Sequence, residues 1–171
     1  ADQMNIQSEA GVKSVVLHLD DQGKTVESVT VDMGEPILEG KLIPSAIDAP
    51  VIMGQPVTVG EKTFNYTAVS MGNPHAVVFV PDATEFPVEN WGPQIEVDSL
   101  FPRKTNVEFV TVAADDHVIM RVWERGVGQT LACGTGACAT VVATVLNEKT
   151  KREVRVSLKG GDLFIKWDEQ D

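Results

Sequence analysis

The sequence predicts an α+β fold in which a mostly antiparallel sheet is wrapped around one central helix. Several segments alternate apolar and polar residues at a period of two, which is typical of strands. The clearest helix, residues 135–149, contains no proline and is apolar on nearly every face, which is typical of a helix surrounded by other elements. The strand–helix–strand alternation of a parallel sheet is not evident.

The elements follow one another in a simple order. The first two strands form a hairpin, and Pro- and Gly-rich sequence then predicts a domain boundary near residue 34. Later strands form two further hairpins, and a short helix is expected around 94–100 in a proline-containing segment. The predicted strands are 12–19, 27–33, 62–71, 76–80, 106–113, 117–125, 153–160 and 162–168.

Composition excludes several classes of protein. The chain has 171 residues, a net charge of −11 and interspersed acidic and basic residues, so it lacks the basic stripe of a nucleic-acid surface. Neither a membrane-spanning apolar run nor a secretory signal is visible in these residues, and we expect a cytoplasmic location. Two cysteines are no disulfide framework, and three widely spaced histidines predict no metal site. Because it begins with Ala1, we expect the chain to come from a longer protein.

Cys133 precedes the central helix in the segment "LACGTGAC". The free N–H groups and the dipole of a helix N-terminus lower a thiol pKa and attract anions such as carboxylates. A reactive thiol is therefore one interpretation, and a buried structural cysteine is the other. Cys138 points about 140° away around the helix, so we expect it in the core.

Other polar residues cluster at strand ends. Asn73 and His75 lie in a turn, Asn106 begins a strand, and Glu124 and Arg125 end one. A carboxylate and a guanidinium together can bind the ammonium and carboxylate of an amino acid. Taken singly, each residue also fits an ordinary turn, loop-end amide or surface ion pair.

Three segments, "SMGNPHAV", "PRKTNVEFV" and "RVWERGVGQTLACGTGACA", together resemble the diaminopimelate epimerase family of the pyridoxal-phosphate-independent amino-acid racemase superfamily. The resemblance implies two pseudo-symmetric halves, each with a sheet around a helix, and an active site in the cleft between them. It implies interconversion of LL- and meso-diaminopimelate, in lysine and peptidoglycan precursor biosynthesis. One cysteine from each half would act, as thiolate base and thiol acid, without metal or cofactor.

The resemblance also implies roles for individual residues. Catalytic roles fall to Cys133, His75 and Glu124, with His75 assisting thiol ionisation. The backbone N–H groups of Gly134 and Thr135 would hold the reacting carboxylate. The distal amino-acid head would be bound by Asn73, Asn106, Glu124 and Arg125, with Arg125 facing its carboxylate and Glu124 its ammonium.

The chain departs from the family pattern in two respects. Gln129 replaces a glutamate of the family's glycine loop. The family's first half, with its own cysteine motif, and its closing segment are not found. Residues 1–33 are therefore expected to be the tail of the first half and 34–171 the second half. We expect the chain alone to be inactive, because it lacks the partner cysteine and the N-terminal half-domain. The complete protein would act on a small-molecule substrate, diaminopimelate. The resemblance to the family also implies a homodimer.

Three alternatives stay open. The chain could belong to a sibling of the superfamily, such as a proline or hydroxyproline epimerase or a phenazine-type isomerase. It could be a noncatalytic binding fragment. A thiol hydrolase would need a histidine oriented as base by a third group, and no sequence feature favours one.

Overall fold

The computed structural model describes residues 2–8 and 11–170. The chain divides into two compact units, one ending at Gly34 and the other beginning at Glu35. The division lies beside the predicted domain boundary, while the assignment of the units to two family halves stays a prediction. In the described part of the chain, no helix is long and apolar enough to cross a membrane.

The first unit is a three-stranded antiparallel sheet. Its strands are β1 (Gln3–Ser8), β2 (Gly11–Leu19) and β3 (Val26–Val31), paired in the order β1-β2-β3. The predicted hairpin of β2 and β3 is confirmed. Strand β1 was not predicted, because its short sequence, QMNIQS, is largely polar.

The second unit contains an eight-stranded sheet and two helices. The elements are β4 (Gln55–Val59), β5 (Lys62–Ser70), β6 (Pro74–Phe79), α1 (Val88–Glu96), β7 (Asn106–Ala114), β8 (His117–Glu124), β9 (Gly128–Thr130), α2 (Gly134–Leu146), β10 (Glu153–Leu158) and β11 (Gly161–Lys166). The strand order is β11-β10-β8-β7-β6-β5-β4, and β9 pairs with β8. Most neighbours are antiparallel, so the predicted α+β fold with a mostly antiparallel sheet is confirmed.

Two neighbouring pairs, β6 with β7 and β8 with β10, are parallel. Each pair is joined by a connection that contains a helix, α1 in the first case and α2 in the second. The expectation that strand–helix–strand units are missing was therefore wrong at these two places. The cause is local, because prolines in 81–102 and glycines in 126–136 interrupt the periodicity on which the prediction rested.

Helix α2 is enclosed, as its composition predicts. Its residues from Gly136 to Thr144 are all buried, and the helix contacts β5, β6, β7, β8, β10 and β11. Alternate residues of the strands, among them Val77, Val110 and Met120, pack in the same cluster as the helix. The opposite face of the sheet packs on an aromatic cluster around Phe64, Phe86, Trp91 and Phe109. Both faces of the central strands are thus buried.

Helix α1 begins earlier than predicted, at Val88 rather than near residue 94. Pro87 precedes its first residue, where a missing N–H is tolerated, and Pro93 lies inside it. The helix packs so closely on β8 that a Cβ on Gly92 would lie 2.6 Å from Cβ and Cγ of Trp123. Gly92 is therefore required by the close approach of helix and strand.

Replacing Gly92 by alanine is expected to lower the free energy of unfolding by about 1–3 kcal/mol, because the added methyl overlaps the Trp123 side chain. Gln94→Ala on the exposed side of the same helix is the matched control and is expected to change stability little. Urea denaturation of the two variants and the parent measures the difference. Equal stabilities for Gly92→Ala and the parent would contradict the packing.

Candidate active site

Cys133 is the N-cap residue of α2. Its backbone is extended, with φ −148° and ψ 108°, and its Sγ accepts a hydrogen bond from the N–H of Gly136 at 3.3 Å. The thiol is half-buried, whereas Gly134 beside it is exposed. The N–H groups of Gly134 and Thr135 belong to the first turn, where no intrahelical acceptor exists. The sequence therefore placed the thiol correctly at an anion-attracting helix end.

A chain of polar contacts leads from the sheet to this thiol. His75 Nδ1 lies 2.6 Å from Oε1 of Glu108, and His75 Nε2 lies 3.1 Å from Oδ1 of Asn73. The amide of Asn73 donates to Oγ1 of Thr135 at 3.3 Å, and that hydroxyl lies 3.6 Å from Cys133 Sγ. His75 thus reaches the thiol through two intervening side chains rather than by direct contact.

The parallel pairing of β6 with β7 brings these groups together. His75 is in register with Asn106, so both strands begin at the same edge of the sheet. The turn before β6 is closed by Gly72, whose φ of 95° favours glycine. The turn that carries Asn73 therefore lies next to the start of β7.

Asn106 connects this turn to the loop after β8. Its Nδ2 donates to the carbonyl of Pro74 at 2.8 Å, and its Oδ1 accepts from the N–H of Arg125 at 2.9 Å. The side chain is 4% exposed. Both ends of the amide are therefore committed to the backbone, which makes Asn106 a positioning residue here; the predicted contact with a distal substrate head stays a prediction.

Glu124 and Arg125 lie at the end of β8, as predicted. Glu124 is half-buried and accepts a hydrogen bond from Thr130 Oγ1 at 2.5 Å, whereas Arg125 is exposed. Sequence reasoning did not identify Glu96, whose carboxylate accepts from Gly126 N at 2.9 Å and from Trp123 Nε1 at 2.7 Å. The side chains of Asn106 and Glu96 thus hold the backbone of this loop.

Burial, the charge of Glu108 and, to a smaller extent, the charge of Glu124 together raise the pKa of the Cys133 thiol to about 11, and burial has the largest effect. The hydrogen bonds from Thr135 and Gly136 act in the opposite direction but are outweighed. The helix N-terminus thus lowers this pKa as expected, but the pKa as a whole lies above its usual value because burial outweighs that contribution. At neutral pH the resting sulfur is a thiol, which can donate a proton.

Glu108 is the other functional candidate that the sequence analysis missed. Burial raises the pKa of its carboxyl, while His75 acts in the opposite direction, and neither side chain of the pair is exposed. A recognisable signal exists, since a glutamate in the apolar strand "NVEFV" lies two positions after Asn106 and so on the same face of β7.

The Glu108 carboxylate and the Cys133 thiol both lie against Gly136. A Cβ on this residue would lie 2.7 Å from Glu108 Oε1 and 3.1 Å from Cys133 Sγ, so any side chain would displace one of them. Cys138, by contrast, is 7% exposed within α2, as predicted. Among the residues that the structure describes, no three His, Cys, Asp or Glu side chains are arranged to hold a metal ion.

Comparison with known proteins identifies the family. The sequence model of the family described as diaminopimelate epimerase matches residues 67–171, which include every candidate site residue. The chain belongs to the diaminopimelate epimerase family. It is 54% identical over 166 residues to the diaminopimelate epimerase of Leptospira biflexa, and 50% identical over 168 residues to that of Desulfitobacterium hafniense.

These diaminopimelate epimerases are matched over 96% and 98% of the chain but over 59% of their own length. The chain therefore spans about three fifths of its curated relatives. Among solved structures, it is similar to a hydroxyproline epimerase from Agrobacterium vitis, with a TM-score of 0.66, 14% identity and coverage of 94% of this chain and 49% of that one. At such low identity the likeness shows a shared fold alone.

The raised thiol pKa has a measurable consequence. Alkylation of Cys133 by iodoacetamide is expected to be slow at pH 7–8 and to follow thiolate formation with a midpoint near pH 11, because the thiolate is the nucleophile. Peptide mass spectrometry at each pH separates Cys133 from Cys138. A midpoint at or below about pH 8.5, the value of an unperturbed cysteine, would contradict the electrostatics of the site.

Proposed function

We propose that this chain supplies one side of the active site of a diaminopimelate epimerase, which interconverts LL- and meso-diaminopimelate without a cofactor. The observation that carries the proposal is the position of the half-buried Cys133 thiol at the N-terminus of α2 in a member of this family. The reaction is a step of lysine and peptidoglycan precursor biosynthesis, and the proposed location is the cytoplasm.

The first requirement of the reaction is to stabilise charge, because the α-proton of an amino acid is very weakly acidic. The N–H groups of Gly134 and Thr135 lie at the positive end of the α2 dipole and are proposed to bind the α-carboxylate of the substrate. Charge that develops next to the α-carbon then meets dipoles that are already oriented. The half-buried position of the site strengthens these interactions.

Proton transfer follows from the state of Cys133. When a base on the opposite face removes the α-proton, the Cys133 S–H bond breaks, a new C–H bond forms on the inverted carbon, and a thiolate remains. In the reverse direction that thiolate takes the proton back. The cycle therefore moves protons between two cysteine side chains and the α-carbon, and no atom is oxidised or reduced overall.

The second proton-transfer group is proposed to be a cysteine that lies outside residues 1–171. The other cysteine of this chain, Cys138, is in the core and is 7% exposed, so it is unsuited to this role. Curated relatives are about two thirds longer than the matched segment, which leaves room for such a group.

The residues proposed to bind the distal part of the substrate favour diaminopimelate over an amino acid with a single head. Arg125 is exposed and Glu124 is half-buried, and the two residues lie where β8 ends and the loop held by Asn106 and Glu96 begins. We propose that this pair binds the carboxylate and ammonium of the second amino-acid head. Proline and hydroxyproline have no such head.

The test compares the complete protein that contains this segment with the 171-residue chain. The complete protein is expected to invert diaminopimelate, incorporating solvent deuterium at the α-carbon in D₂O. The chain alone is expected to show no inversion because it has one proton-transfer group at the site. Mass spectrometry and chiral chromatography measure exchange and inversion.

The same assay, run with proline and hydroxyproline, separates the proposal from its alternatives. Inversion of those substrates instead of diaminopimelate would assign the chain to another activity of the superfamily. Inversion by the isolated chain would show that the two-cysteine arrangement is wrong. No exchange by the complete protein with any of these substrates would favour a noncatalytic role.

A further inference from the structure

We propose that Glu108 is a positioning residue of this site: it shares one proton with His75, holds the His75 end of the chain of contacts that leads to Cys133, and favours the thiol form of that cysteine. The family match assigns no role to this glutamate. Only one part of this proposal rests on the proposed function, namely that Cys133 uses its proton in catalysis.

The first step concerns the number of protons on the pair. His75 and Glu108 are both fully buried and their Nδ1 and Oε1 atoms are 2.6 Å apart. Two bare lone pairs would repel at this distance, so one proton lies between the two atoms. An unpaired buried charge is strongly disfavoured, and this arrangement satisfies both partners with one shared proton.

The second step follows the other ring nitrogen. Asn73 presents its carbonyl Oδ1 to His75 Nε2 at 3.1 Å and uses its NH₂ group to donate to Thr135 Oγ1. A carbonyl oxygen only accepts, so Nε2 must carry a proton. Thr135 Oγ1, which accepts from Asn73, lies 3.6 Å from Cys133 Sγ, and either of these two atoms can be the donor. Glu108 thus holds the His75 end of a chain of contacts that runs through Asn73 and Thr135 to the thiol.

The third step concerns charge. Oε2 of Glu108 is buried and has no hydrogen-bond partner among the described residues, so negative charge on this carboxylate is only partly balanced. Glu108 Oε1 and Cys133 Sγ lie against the same residue, Gly136, which has no side chain to separate them. A carboxylate in this position disfavours a second negative charge on the sulfur.

The ionisable groups around Cys133 come from three strands. Glu108 lies on β7, Glu124 on β8, and His75 on β6 acts through Asn73. Of the two carboxylates, Glu108 has the larger effect on the thiol. Glu124 is half-buried and accepts a hydrogen bond from Thr130, which leaves the fully buried Glu108 as the charged group with the largest effect on the thiol, second to the burial of the thiol itself.

The experiment measures site-resolved alkylation of Cys133 against pH in the 171-residue chain and in Glu108→Gln, which keeps the shape and removes the charge. The midpoint is expected to fall by about one pH unit or more, which corresponds to about tenfold more thiolate at a pH below both midpoints. Glu61→Gln, an exposed glutamate in the β4–β5 turn, is the matched control and should leave the profile unchanged.

An unchanged profile for a folded Glu108→Gln would overturn the proposal, since a purely structural role moves stability but not the thiol midpoint. If this variant does not fold, nitrogen NMR of the imidazole of His75 in the parent chain decides. A directly bonded proton at Nε2 at pH 7.5 supports the arrangement, and an unprotonated Nε2 refutes it. Because neither readout requires turnover, both are independent of the proposed epimerase activity.

Discussion

The burial of helix α2 is the constraint on which the site depends. A helix whose residues from Gly136 to Thr144 are all buried must be covered over that stretch, and six strands of the sheet contact it. That enclosure places the N-terminus of α2 beside the edge where β6 and β7 begin. The thiol of Cys133, the imidazole of His75 and the carboxylate of Glu108 consequently meet at one place, although they are far apart in sequence.

Two opposing effects act on the thiol at this helix end. The dipole and the N–H of Gly136 favour a thiolate, whereas burial and the charge of Glu108 favour the thiol, and the second group prevails. A helix terminus contributes typically about 0.3–1 kcal/mol, while desolvation of a buried ionisable group can shift a pKa by several units. A proton donor at rest is the natural outcome, with the same N–H donors left to bind the substrate carboxylate.

Short-range patterns in the sequence were enough to predict much of the fold and the position of the thiol. The three hairpins, the enclosed α2 and the position of Cys133 before it depend on periodicity and composition within short windows. Strand β1 was too polar to be recognised, and the prolines around α1 obscured its true start at Val88. The pairing of His75 with Glu108 depends on the parallel register of β6 and β7. The two residues are 33 positions apart in sequence, so no local pattern encodes their contact. The balance of burial against dipole at Cys133 likewise required the positions of its neighbours.

The central claim is that Cys133 transfers a proton to and from the substrate α-carbon. The most direct measurement is stereoinversion of diaminopimelate in D₂O by Cys133→Ala in the complete protein, beside its circular dichroism and melting temperature. We expect loss of inversion with the fold retained, because the half-buried Cys133 lies at the margin of the core and its truncation removes one cap hydrogen bond, a loss of about 1 kcal/mol. Inversion at a rate near that of the unaltered protein would contradict the central claim.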